Sequence, residues 1–179
     1  MFNYCSKLKE VSFATSTSNI TNFNYMFGEC SSLNTVQQID TSKGTSFSGM
    51  FNGCRSLTSI PQLDTSSGTS FESMFSNCKS LITAQQLDTS NGTNFNYMFG
   101  ECSSLNTVQQ IDTSKGTSFS GMFNDCSNLK RIEGISFKSL NKTVSGNYLT
   151  GYNYMNYLRY ALIKDIGTCT GMTSISFMY

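Results

Sequence analysis

The chain has 179 residues, a formal net charge of +1, 13% charged residues and no histidine. That leaves no basic field for a nucleic-acid backbone and excludes any Ser-His-Asp or Cys-His catalytic arrangement. A hydrophobic content of 38% supports one continuous core. No stretch approaches the roughly 18 consecutive apolar residues of a membrane helix, and no charged segment leads into an apolar one at the N-terminus, so no signal peptide is visible.

Taken in chain order, the sequence is a succession of 24-residue coils. The first coil, Met1 to Tyr25, keeps Met1, Phe2, Cys5, Leu8 and Val11 and carries one extra residue before Phe23. Met-Phe then recurs at Met26, Met50, Met74, Met98 and Met122, followed each time by Cys30, Cys54, Cys78, Cys102 and Cys126. Residues 21–52 and 93–124 are the same string, displaced by three periods. A fixed period of this length marks a solenoid, whose coils bury their apolar faces only by stacking on one another.

Inside each coil the spacing of apolar residues predicts two kinds of structure. Phe71, Met74, Phe75, Cys78 and Leu81 form a one-sided helical stripe, with Thr69 or Ser70 as N-cap. Leu57 to Pro61 reads as a three- or four-residue strand that stops near the proline, which has no N–H to donate. The segment D-T-S-x-G-T reads as the return loop, where Gly44, Gly68, Gly92 and Gly116 are expected to permit positive φ. Residues 136–168 leave the repeat, and Met155, Leu158, Leu162 and Ile166 predict a helix over Tyr152 to Ile166. Cys169, Met172 and Ile175 restore the coil spacing in a last, degenerate coil. The expected organisation is α/β: a leucine-rich-repeat-like right-handed solenoid of six repeats over 1–135, then a helical C-terminal cap over 136–179.

Stacking lines equivalent residues into columns. The cysteines could be bridged, because strand-paired coils lie about 4.8 Å apart. Their odd number and their place on the inward stripe make them buried thiols instead. Zinc is not expected, since there is no C-x-x-C and no histidine. Asp40, Asp64, Asp88 and Asp112 form an acidic column that reads as a series of Asx turns. A calcium ladder is the minor alternative, and one carboxylate per coil is thin for an ion that takes roughly six to eight oxygens. Phe23, Phe47, Phe71, Phe95 and Phe119, with the Phe four residues after each, read as core. Ala84 stands in a column of Val and Ile, and Ile82 beside it is expected to refill part of the lost volume, so that Ile82→Asn would destabilise.

The segments M-F-x-x-C-x-S-L-x-[TS]-[IV] and L-D-T-S-x-G-T-x-F, over about residues 1–135, resemble BspA-like leucine-rich repeat surface proteins, found in bacteria and in bacteriophage genomes. The resemblance implies a non-catalytic attachment protein, extracellular, on a cell surface or on a virion, and transfers no catalytic residue. The residues themselves offer a repeated polar face. With Val36 inward, Thr35 and Gln37 point outward, and the same alternation exposes Ser59, Thr83, Gln85, Thr107 and Gln109, with Gln38, Gln62, Gln86 and Gln110 at the rim. This Thr and Gln surface suits many weak hydrogen bonds to a glycan or a protein; it also suits plain solvation in a structural spacer, and both readings stand. No cofactor or metal is expected, nor nucleic acid, nor membrane insertion. The first coil lacks a cap, so the chain is expected to be a fragment, a subunit docked onto another protein, or an oligomer there.

Overall fold

The computed structural model describes residues 1–132, apart from 14–15, 38, 60–62, 85–86 and 110. Within that range the chain is a stack of coils in register. Short parallel strands line one side: β1 (Glu10–Val11) pairs with β2 (Thr35–Val36), and β3 (Thr83–Ala84), β4 (Thr107–Val108) and β5 (Arg131–Ile132) pair in chain order. Thr83 lies opposite Thr107, one period on, while Glu10 lies opposite Thr35, one position beyond a full period, which absorbs the extra residue of the first coil. A second parallel ladder joins Asn22, Ser46, Ser70, Asn94 and Ser118. These observations are compatible with a repeat solenoid. The expected cap, with its helix over Tyr152 to Ile166 and the coil around Cys169, lies outside the described residues.

The expected helix does not form, and the described residues contain none. In its place the Met-Phe segment is a run of tight turns. Met74, Ser76 and Cys78 donate their N–H groups three residues back, to the carbonyls of Phe71, Ser73 and Phe75, at 3.1–3.2 Å. The alternate amides, of Phe71, Ser73, Phe75 and Asn77, donate forward to Asn94, Asn96, Met98 and Gly100 of the next coil at 2.7–2.9 Å. The third residue of each turn takes positive φ: Tyr25, Gly49, Ser73, Tyr97 and Gly121 in the first, and Tyr4, Glu29, Gly53, Asn77, Glu101 and Asp125 in the second. Helical N–H groups are satisfied within the helix, so neighbouring helices must keep about 8–10 Å between axes. Turns leave every second amide free to bind the next coil, and the coils close to strand-like spacing.

That close spacing builds the core. Phe23, Phe47, Phe71, Phe95 and Phe119 stack at 5.4–5.8 Å between ring centroids, with planes within 11° of parallel. Phe2, Phe27, Phe51, Phe75, Phe99 and Phe123 make a parallel stack at 5.3–5.8 Å. Met, Cys and Leu of the turn segment and Val36, Ala84 and Val108 of the strands complete one hydrophobic cluster. The loop glycines serve these rings, and here the expectation fails. Gly44, Gly68, Gly92 and Gly116 do not have positive φ; the space a Cβ would fill is taken by the Phe three residues on.

Two buried polar columns run through the core. Thr17, Thr41, Thr65 and Thr89 are buried, and each hydroxyl donates to the carbonyl of Asp40, Asp64, Asp88 or Asp112 in the next coil at 2.8–2.9 Å. The thiols of Cys30, Cys54, Cys78, Cys102 and Cys126 donate to the carbonyl of a Phe in the preceding coil at 2.9–3.1 Å. All five are buried, while Cys5 is free and exposed. Burial raises the thiol pKa values of Cys54, Cys78 and Cys102, and the thiolate is the reactive species. Mass-resolved labelling of the native protein with a thiol reagent should therefore modify Cys5 at once and Cys78 only on unfolding. Equal labelling rates for the two would contradict this burial.

Candidate functional site: the polar strand face

The strands hold the predicted binding residues through the alternation of the extended chain. Val36, Ala84 and Val108 are buried, and the residues beside them turn outward. Thr35, Ser59 and Thr83 are exposed, Thr107 is half-buried, and Gln37 and Gln109 are exposed. Pairing places Thr83 directly beside Thr107. Gln38, Gln62, Gln85, Gln86 and Gln110 lie outside the described residues. A second outward column adjoins the first: Asn34, Thr58, Ile82, Asn106 and Lys130. The Thr107 hydroxyl donates to Asn106 Oδ1 at 3.2 Å, so the two columns touch.

Ile82 corrects an expectation. It is 54% exposed, in the polar column just before the strand, and does not refill the core beside Ala84. Its side chain stands with solvent and with the positions held elsewhere by Asn34, Thr58 and Asn106. Ile82→Asn should accordingly change stability by less than about 0.5 kcal/mol, measured as the midpoint of thermal unfolding. A loss near 1 kcal/mol or more would return Ile82 to the core.

The aspartate column is built as Asx turns. Asp40, Asp64 and Asp88 each accept, through Oδ1, the backbone N–H and the hydroxyl of the serine two residues on, at 2.6–3.1 Å. The Ser42 and Ser90 hydroxyls, and then their N–H groups, hold the carboxyls of Asp40 and Asp88 below the ordinary range. The stability these bonds add is present above the unfolded value and fades as pH falls through the lower folded value. Among the described residues no three His, Cys, Asp or Glu side chains group as metal ligands. No described helix is long and apolar enough to cross a membrane.

Two features escaped the sequence reading. The buried threonines were legible only as loop residues, although their recurrence in D-T-S marked a column. Tyr25 and Tyr97 project from the turn segment half-exposed, and their repetition three periods apart was the signal that could have found them.

Comparison with known families places the chain. Residues 1–86 and 60–147 match the family described as "Mycoplasma protein of unknown function, DUF285". The two matches together span most of the sequence, and the chain belongs to that family. No curated protein and no solved structure matches it.

Proposed function

We propose that the chain is a non-catalytic binding module of a bacterial surface or phage virion protein, whose repeated strand face contacts a glycan or protein. The coils, on this reading, form a right-handed solenoid akin to those of BspA-like surface proteins. The observation that carries the proposal is the exposed, nearly neutral column Thr35, Ser59 and Thr83, flanked by Gln37, Gln109 and the solvent-facing Ile82. Hydroxyls and amides repeated at coil spacing favour a ligand that is itself repetitive, with each contact weak and the sum strong. An array of glycans and cell-surface proteins, probed with the wild type and with Thr35→Arg/Thr83→Arg, tests it. Retention that the arginine variant loses supports the proposal; retention unchanged by it refutes a role for this face.

A structural spacer is the second reading, favoured by the lengthwise bonding of the Thr and Cys columns, which stiffens the stack without needing a ligand. A wild-type chain that retains nothing on the array would favour the spacer.

A further inference from the structure

The turn segment carries a second surface, on a different stretch of the coil from the strand face and built independently of it. Tyr25 and Tyr97 are 48% and 47% exposed, whereas the ten phenylalanines of the two central stacks, Phe23 to Phe123, are buried. Each ring is seated on a glycine of the next coil. A Cβ at Gly49 would fall against Tyr25 Cε1 and lie 2.5 Å from its Cδ1, and a Cβ at Gly121 would meet Tyr97 in the same way. One side of each ring is thus backed by a glycine, and about half of each tyrosine remains open to solvent.

The polar surroundings of the two rings are also duplicated. Asn24 Oδ1 accepts the N–H of Ser48 at 3.0 Å, and Asn96 Oδ1 accepts that of Ser120 at 2.7 Å. A backbone N–H can only donate, so the oxygen of each amide is fixed inward. The amide nitrogen, with its donors, is turned away from that bond, on the residue adjoining the tyrosine. The rings stand three coils apart, and each coil step measures 5.5–5.8 Å along the phenylalanine stack. The intervening positions of their column are Gly49 and Ser73, so no bulky side chain of that column stands between them.

We propose that Tyr25 and Tyr97 are paired stacking platforms for a neutral polysaccharide chain. A pyranose presents an apolar C–H face and a rim of hydroxyls, and each platform supplies an aromatic face beside an oriented amide donor. A nucleic acid would stack on the same rings, but the neighbours Asn24, Ser46, Ser48, Asn96, Ser118 and Ser120 carry no positive charge to hold its phosphates. A protein partner would want a contiguous, desolvated aromatic centre, whereas these rings are three coils apart and separated by Gly49, Ser73 and the exposed Glu72. Two platforms on one rigid stack bind a long chain more tightly than either does alone, because the second contact is intramolecular.

Affinity electrophoresis of the full chain through gels containing soluble starch, hydroxyethylcellulose or glycol chitin provides the test. The wild type should be retarded by at least one polymer. Tyr25→Ala and Tyr97→Ala should each weaken retardation, the double variant should weaken the apparent affinity at least tenfold, and Tyr25→Phe/Tyr97→Phe should keep most of it. Lys79→Ala, an exposed substitution on neither surface, should leave retardation unchanged. In case the double variant is poorly folded, the wild type labelled with ¹³C at its tyrosine rings can be titrated with an oligosaccharide of the retarding polymer. Only the ring signals assigned to Tyr25 and Tyr97 should shift. Absence of retardation by all three polymers, retardation that survives in a folded double alanine variant, or ring shifts elsewhere would overturn the proposal.

Discussion

Phe71→Ala is expected to cost about 3–5 kcal/mol, the loss expected for a fully buried aromatic ring. Phe71 is fully buried and stacked between Phe47 at 5.8 Å and Phe95 at 5.7 Å, with ring planes 6° and 11° from parallel. Truncation removes both aromatic contacts, worth about 0.5–1.5 kcal/mol each beyond area burial. It also leaves a hole in the middle of a column that neighbouring rings cannot slide to fill, since each is tied to its own coil. A stack of coils is held by nearest-neighbour interfaces, so the defect should also weaken the coupling between the coils on either side. Urea unfolding followed by circular dichroism should show a lower midpoint and a broader transition. A loss under about 1 kcal/mol would mean that the rings are not a dry, continuous stack.

Gly92→Ala should destabilise by about 1–3 kcal/mol, the cost of overpacking, although a glycine-to-alanine change where φ is ordinary stabilises by about 0.4–1 kcal/mol. The sign reverses because the new methyl would meet Phe95 at Cζ and lie 3.0 Å from Phe95 Cε1 and from Phe71 Cε2, both rings being buried and stacked. Shortening the obstructing ring distinguishes this cause from backbone strain. Phe95→Leu is destabilising alone, but in the Gly92→Ala background it should cost measurably less, a coupling between contacting sites that thermal unfolding of the four proteins would reveal. Strictly additive losses would place the cost in the backbone instead.

The period, the register and the identity of the core were legible from residue spacing alone. Met-Phe, Cys and Leu could fall in phase only if equivalent side chains were stacked, and the two Phe columns, the buried thiols and the Asx turns lie where that stacking puts them. The helical spacing misleads for a definable reason. Phe71, Met74, Phe75 and Cys78 fit one face of a helix, but they fit a chain of four-residue turns equally well, with Phe71 and Phe75 one step apart and Met74 and Cys78 likewise. Gly49, Gly53 and Gly121 inside the supposed helix were the contrary signal, since glycine costs a helix about 1 kcal/mol and favours the positive φ that these turns use. Asn77 and Asp125 pointed the same way. Coil spacing carried a second clue, because rings stacked 5.3–5.8 Å apart cannot belong to helices packed side by side.

The candidate face was only half legible. Strand alternation placed Thr35, Thr83, Gln37 and Gln109 outward, where they stand. Residue volume argues for Ile82 inward, whereas its backbone position, ahead of the two-residue strand, turns it to solvent. The tyrosine platforms were hidden because a residue on the supposed helix would have had its exposure set by a period of about 3.6. In a turn it is set by the backbone conformation, and the αL geometry at Tyr25 and Tyr97 leaves both rings half-exposed.

Excising one coil tests the central claim, that each repeat is one rung of a register-locked stack. Deleting residues 48–71 joins Phe47 to Glu72, a seam equivalent to the native one, whereas deleting residues 50–71 shifts every later column by two positions. The full-period deletion should still unfold cooperatively by circular dichroism, at a lower midpoint, and the shorter deletion should have no cooperative transition. Loss of the transition in both, or its survival in both, would mean that the coils are not stacked in register.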